Sequence, residues 1–144
     1  MQSRINISQL EPKSFKAMIG LETYLAEVDL TPKLRQLIKI RASIVNNCAY
    51  CIEMHTLESK KLGESEQRLY ALAAWQESPL FSDKERALLK LTDEVTLISG
   101  QGLTDASYEA CLAVVGEQVV AQCIMQIVTI NAWNRIAVAT KMVH

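Results

Sequence analysis

Apolar residues recur along this chain at spacings of three and four, and no stretch alternates as a half-buried strand would, so the pattern predicts helices throughout. Thr31-Pro32 opens one of them, since threonine can cap free backbone N–H groups and the fixed φ of proline suits the first helical position. Leu34, Leu37, Ile38, Ile44 and Val45 carry it to about residue 45. Asn46-Asn47 tolerates the turn that ends it, and a second helix runs from about Cys48 to Leu62 with Gly63 as its stop. The two segments form a helical hairpin with Cys48 near the bend. Pro12 opens an earlier helix to about Val28, and Ser65 caps one through about Trp75. Ser82-Asp83-Lys84-Glu85 is a capping box for a helix reaching Gly100. A short helix from Thr104 or Asp105 closes at Gly116, and a last, longest one covers about 117–141. The expectation is an all-α single domain spanning residues 1–144, a bundle of about seven helices.

The last helix changes the picture from bundle to assembly. Gln118, Gln122, Gln126 and Thr129 make a narrow polar stripe, and most of the remaining circumference is apolar. One small bundle offers too little cover for such a helix, which points to a homo-oligomer.

Composition narrows the function. Five Gly and three Pro in 144 residues leave few turn formers, and 49% hydrophobic with 22% charged residues is a globular composition. Fifteen Lys and Arg against sixteen Asp and Glu give a net charge of −1, far from the basic balance that phosphate binding favours, so nucleic acid is not an expected partner. Residues 1–10 lack the apolar core of a secretion signal, and the apolar run of 119–133 is interrupted by Gln122, Gln126 and Asn131. The expectation is a cytoplasmic protein with no membrane partner.

Chemistry concentrates in Cys48-Ala49-Tyr50-Cys51-Ile52-Glu53-Met54-His55. On a helix, Cys48, Cys51 and His55 form an i, i+3, i+7 row on one face, so two thiols and a titratable base share a surface. Both thiols lie in the first turn, where free N–H groups and the positive end of the dipole favour a thiolate. A zinc site would need a fourth ligand from Cys111, Cys123 or an acid. Haem attachment would need histidine directly after the second cysteine, where Ile52 stands, and a thioredoxin-like fold needs a βαβ pattern that is absent. The residues are read as a redox pair, with no metal ligand and no cofactor.

The hairpin 34–55 with its C-x-x-C-x-x-x-H core, the phrase GESEQRLYALAAWQESPLFSDKERALLKLTDE and the closing INAWNRIAVATKMV resemble the AhpD-like alkylhydroperoxidases of the carboxymuconolactone decarboxylase family. The resemblance covers about residues 10–143. It implies trimers, or hexamers of three dimers, and thiol-dependent reduction of hydrogen peroxide or organic hydroperoxides by a dithiol/disulfide cycle. The resemblance also implies a dithiol reductant that regenerates the pair, in the family a lipoyl-bearing protein system. Cys51 matches the peroxide-reacting cysteine, Cys48 the resolving one and His55 the proton-relay histidine. The family motif has Glu twelve residues before the first cysteine, where this chain has Gln36. Gln36 and His55 stand about 16 and 13 Å from the bend, so they can face one another across the hairpin. An amide there can orient a water or an imidazole but cannot take up a proton. Two other activities fit the family or the motif less well: a lyase of the decarboxylase type, which has no need of paired thiols, and a redox sensor whose disulfide alters assembly.

The remaining candidates read more plainly. Glu58, one turn beyond His55, is either its carboxylate partner or, on the simpler reading, a solvated charge. Tyr50 borders the site or packs. Cys111, Cys123, Trp75 and Trp133 read as core or interface residues, and His144 as a disordered end.

Overall fold

The structure, a computed structural model, describes residues 2–143. Among them are eight α-helices, α1 (Ile7–Leu10), α2 (Pro12–Ala26), α3 (Pro32–Val45), α4 (Ala49–Lys61), α5 (Glu66–Ala71), α6 (Asp83–Thr96), α7 (Asp105–Val115) and α8 (Glu117–Thr140), with a 3-10 helix at Leu72–Glu77 and no strand. The all-α expectation holds, with one short helix more than the apolar pattern announces. His144 lies outside the described residues.

Caps set most boundaries where the side chains said they would. Thr31 Oγ1 accepts from the Leu34 amide, and Ser82 and Glu85 cap each other reciprocally. Thr104 Oγ1 accepts from Ser107 N. Two ends differ. The helix expected to reach Gly100 stops at Thr96, because Leu97 and Ile98 are exposed and gain nothing from continuing. Glu94, buried on α6, instead draws the chain back by accepting from Thr104 N at 2.9 Å and Ser107 Oγ at 2.8 Å. The helix expected through Trp75 changes to 3-10 form after Ala71, with Ala74 at φ −130°, ψ 44°. Here two guanidinium groups occupy the carbonyls that an α-helical ladder would use. Arg41 donates to the Leu72 and Ala73 carbonyls, and Arg86 to those of Trp75, Gln76 and Ser78.

α3 is the central element and packs on α4, α6 and α8. Ile38 joins Leu88, Leu91, Cys111, Cys123 and Ile127 in one apolar cluster, and Leu37 and Ile40 join Leu72, Trp75, Phe81 and Leu89 in another. Arg41 leaves this apolar surface to meet Asp93 on α6 by two bonds of 2.5 and 3.1 Å, and the same carboxylate accepts from Trp75 Nε1. A paired, hydrogen-bonded and half-buried charge of this kind ties one face of α3 to one face of α6.

The polar side of α8 turns inward. Gln122, Gln126 and Thr129 are buried, whereas Val128 and Val138 are 46% and 50% exposed. No single described helix is long and apolar enough to cross a membrane.

Candidate active site

The bend between α3 and α4 places the cysteines. Asn46 caps α3, and Asn47 takes φ 53°, a left-handed conformation that asparagine adopts more readily than most residues. The Cys48 amide then returns to the Ser43 carbonyl at 2.9 Å. Asn46 Nδ2 donates to Asn131 Oδ1 and Asn134 Oδ1 at 3.0 and 2.9 Å, and Asn134 Nδ2 donates to Ser43 Oγ at 3.0 Å. The bend is thereby fixed to α8 by side-chain hydrogen bonds that only a polar inner face on that helix can supply.

Cys48 is the N-cap of α4, its sulfur accepting from the Cys51 amide at 3.4 Å, and the two cysteines are joined as a disulfide with Cα atoms 5.3 Å apart. Both are buried, packed with Ala137 of α8 and half-buried Tyr50. His55 follows one turn later and is also buried, at 5% exposure. Cys111 and Cys123 belong to the other side of the core, where burial pushes their thiols up to about 11 and about 12. They remain protonated at neutral pH and take no part in this chemistry. Among the described residues no group of three or more His, Cys, Asp and Glu side chains is arranged to hold a metal ion.

Glu58 is not the solvated charge of the simpler reading. Its Oε2 lies 3.0 Å from His55 Nδ1 and accepts from Gln36 Nε2, also at 3.0 Å. Gln36 and His55 therefore do come together across the hairpin, but through one shared carboxylate oxygen. The carboxylate beside His55 comes from α4 itself, and α3 contributes the Gln36 amide. Burial raises the Glu58 pKa, but the hydrogen bonds from His55 and Gln36 and the charges of His55 and Lys39 together outweigh it and hold the carboxyl below its usual range. Burial, with Lys39 nearby, lowers the His55 pKa, and the Glu58 bond only partly restores it. His55 is thus neutral at pH 7. A carboxylate only accepts, so Nδ1 must carry the proton and Nε2 is left as a base.

A second layer comes from residues with no local signal in the sequence. Glu22 on α2 accepts from Lys39 Nζ at 3.1 Å and from Trp133 Nε1 at 3.0 Å, joining three helices beside the histidine. Trp133 is more than the packing aromatic its apolar surroundings suggest. The arrangement offers a disulfide at a helix start that becomes two thiols on reduction, a neutral base one turn on, and an ionised carboxylate that stabilises the base once protonated.

Comparison with known proteins finds relatives in sequence and in fold. A family model for the carboxymuconolactone decarboxylase family matches residues 12–94. The uncharacterized protein YdfG of Bacillus subtilis is 37% identical over 139 residues, covering 96% of this chain and 95% of its own. A crystal structure of an Agrobacterium tumefaciens protein of unknown function, a putative antioxidant defence protein AhpD, superposes with a TM-score of 0.97 at 40% identity, covering 99% and 98% of the two chains. The debrominase Bmp8 shares the fold, with a TM-score of 0.82 at 19% identity over 92% of this chain and 72% of its own.

Proposed function

The chain belongs to the carboxymuconolactone decarboxylase family, and on that premise we propose that it is an AhpD-like thiol peroxidase reducing hydrogen peroxide or organic hydroperoxides. The observation that carries this reading is the buried Cys48–Cys51 pair at the start of α4 with the His55–Glu58 couple one turn away. Neutral His55 Nε2 takes the Cys51 thiol proton. The thiolate attacks the peroxide oxygen, the O–O bond breaks, and the leaving alkoxide or hydroxide recovers that proton from the imidazolium, which Glu58 stabilises. Cys51 becomes a sulfenic acid, and Cys48 condenses with it to give the disulfide and water. Two electrons from an external dithiol, on a small molecule or a lipoyl-bearing protein, restore both thiols. Neither metal nor organic cofactor enters the cycle.

The test is a count of free thiols by mass spectrometry before and after one equivalent of peroxide. The reduced protein should lose two, both from the Cys48–Cys51 peptide, and consume many equivalents once a dithiol is supplied. Loss of no thiol, or of Cys111 and Cys123 instead, removes the reading.

The inward polar face of α8 leaves Val128 and Val138 outside, with Leu97 and Ile98 also exposed. We assign these apolar residues to contacts between copies in a trimer or hexamer. The native mass by light scattering should be three or six times the chain mass at micromolar concentration, and a monomer there contradicts the assignment.

A further inference from the structure

The Cys48–Cys51 pair can react only with molecules that reach its sulfurs, yet the two residues are 1% and 2% exposed. In this structure the pair is a disulfide, and its opening is an exchange. A thiolate attacks one sulfur, the S–S bond breaks, and its electron pair leaves on the other sulfur. The attacking atom has to come within bonding distance, so something that now touches the sulfurs must give way. Their apolar cover has two parts, Ala137 of α8 at 5% exposure and the half-buried side chain of Tyr50.

The two covers differ in freedom. Ala137 is part of the α8 backbone, where its carbonyl accepts from the Met142 amide at 2.9 Å. One turn earlier Asn134 ties α8 to the hairpin bend, accepting from Asn46 Nδ2 at 2.9 Å and donating to Ser43 Oγ at 3.0 Å. Lifting this wall breaks those bonds. The cap is held in the same way, by the Cys48 amide on the Ser43 carbonyl at 2.9 Å. Tyr50 covers the sulfurs with a side chain, from the second position of α4. Its ring turns about χ1 and χ2 while the helix backbone stays in place, and part of the residue already meets solvent, so the ring moves outward rather than into packed core.

We propose that Tyr50 is the gate of the sulfur pair and a specificity-determining residue, selecting by size what reaches Cys48 and Cys51. A slender reactant passes with a small displacement of the ring, and a bulky one waits for the ring to leave. Tyr50 carries neither proton nor electron in this role. Which molecules pass in the cell, a hydroperoxide in one half of the cycle and an external dithiol in the other, rests on the thiol-peroxidase reading. The gate itself belongs to the covered disulfide and stands without that reading.

The experiment treats the oxidised full chain with excess dithiothreitol or excess glutathione and follows loss of the intact Cys48–Cys51 disulfide by acid quench, alkylation and mass spectrometry. Each reagent is its own reference, so the quantity read is the ratio of variant to parent rate. Tyr50→Ala should raise the rate with bulky glutathione about tenfold or more, the scale on which pockets discriminate by bulk, and the rate with slender dithiothreitol less than about threefold. Tyr50→Leu keeps an apolar cover of shorter reach and should fall between parent and Tyr50→Ala. It carries the test if the alanine variant does not fold. The proposal is overturned if both reagents accelerate by the same factor, as general loosening of the fold would produce, or if neither accelerates. It is also overturned if neither variant folds, since the ring is then structural. On the reduced protein, Tyr50→Ala should favour cumene hydroperoxide over hydrogen peroxide by a similar factor, and equal acceleration of the two overturns the gate. If neither peroxide is consumed while the thiol selectivity appears, the peroxidase reading fails and the gate stands.

Discussion

A Cys51→Ser protein is expected to consume no peroxide, whereas Cys48→Ser should undergo one round of oxidation and stop with a sulfenic acid on Cys51 that a dimedone-type reagent traps. The asymmetry follows from position. Cys51 is four residues before His55, one helical turn, so its proton has a base to go to, while Cys48 lies at the cap, seven residues away. Removing the attacking sulfur removes the step itself, a loss of at least ~10³-fold by analogy with other deleted nucleophiles. Removing the resolving sulfur leaves the first step intact, because that step needs no second thiol. Single-turnover mass spectrometry distinguishes the two variants. Trapping on Cys48 in the Cys51→Ser protein would exchange the two roles.

The second large effect concerns the base. His55→Gln should slow Cys51 oxidation by about 10²-fold, the lower end of general acid–base contributions, since a helix N-terminus still favours the thiolate. Glu58→Gln is the more informative change. The new amide oxygen can still accept from both His55 Nδ1 and Gln36 Nε2, so tautomer and geometry persist and only the charge is lost. Glu58 raises the His55 pKa, so its neutralisation lowers that pKa further, and the acid limb of the rate profile moves to lower pH. The plateau rate should fall about tenfold, because the imidazolium formed during attack is no longer paired; half-exposure of Glu58 keeps the loss below that of a fully buried ion pair. Stopped-flow oxidation against pH reads both changes, and a limb that moves upward or stays fixed would dissociate Glu58 from the relay. His55 affects stability in the same sense. Its folded pKa lies below the unfolded value near 6.5, so the stability it contributes is present above that pH and is lost as pH falls through it.

These residues also mark where sequence reasoning reaches and where it stops. Cys48, Cys51 and His55 are legible because all three sit on one helix, whose periodicity places them without knowledge of any neighbour. Helix starts at Pro32, Asp83 and Asp105 are legible because the capping side chain precedes each in sequence. Glu58 is visible as one turn beyond His55, but its engagement depends on Gln36 arriving from α3, and hairpin register is not written in local spacing. The Glu22–Lys39–Trp133 contact draws on three helices 17 and 94 residues apart in sequence and has no local signature at all. The break after Ala71 is similar, because the guanidinium groups that claim those carbonyls come from α3 and α6. For α8 the polar stripe is evident in the sequence and its direction is not: polar residues ordinarily face solvent, and here Gln118 does while Gln122, Gln126 and Thr129 are buried, with Gln122 donating to Asp29.

The cap on α4 links protein folding to electron supply. The first turn that stabilises a thiolate at Cys48 or Cys51 exists only in the folded chain, and a closed thermodynamic cycle requires that this stabilisation appear twice. Whatever the helix terminus contributes to the reduced, ionised form is subtracted from the folded chain's preference for the disulfide. At ~0.3–1 kcal/mol for a charge at a helix end, the disulfide becomes a stronger oxidant by about 6–20 mV for a two-electron couple. The same interval is the driving force returned to any dithiol that reduces it. A weaker helix start would therefore leave the protein more firmly oxidised and slower to accept electrons, with its sulfur atoms unchanged.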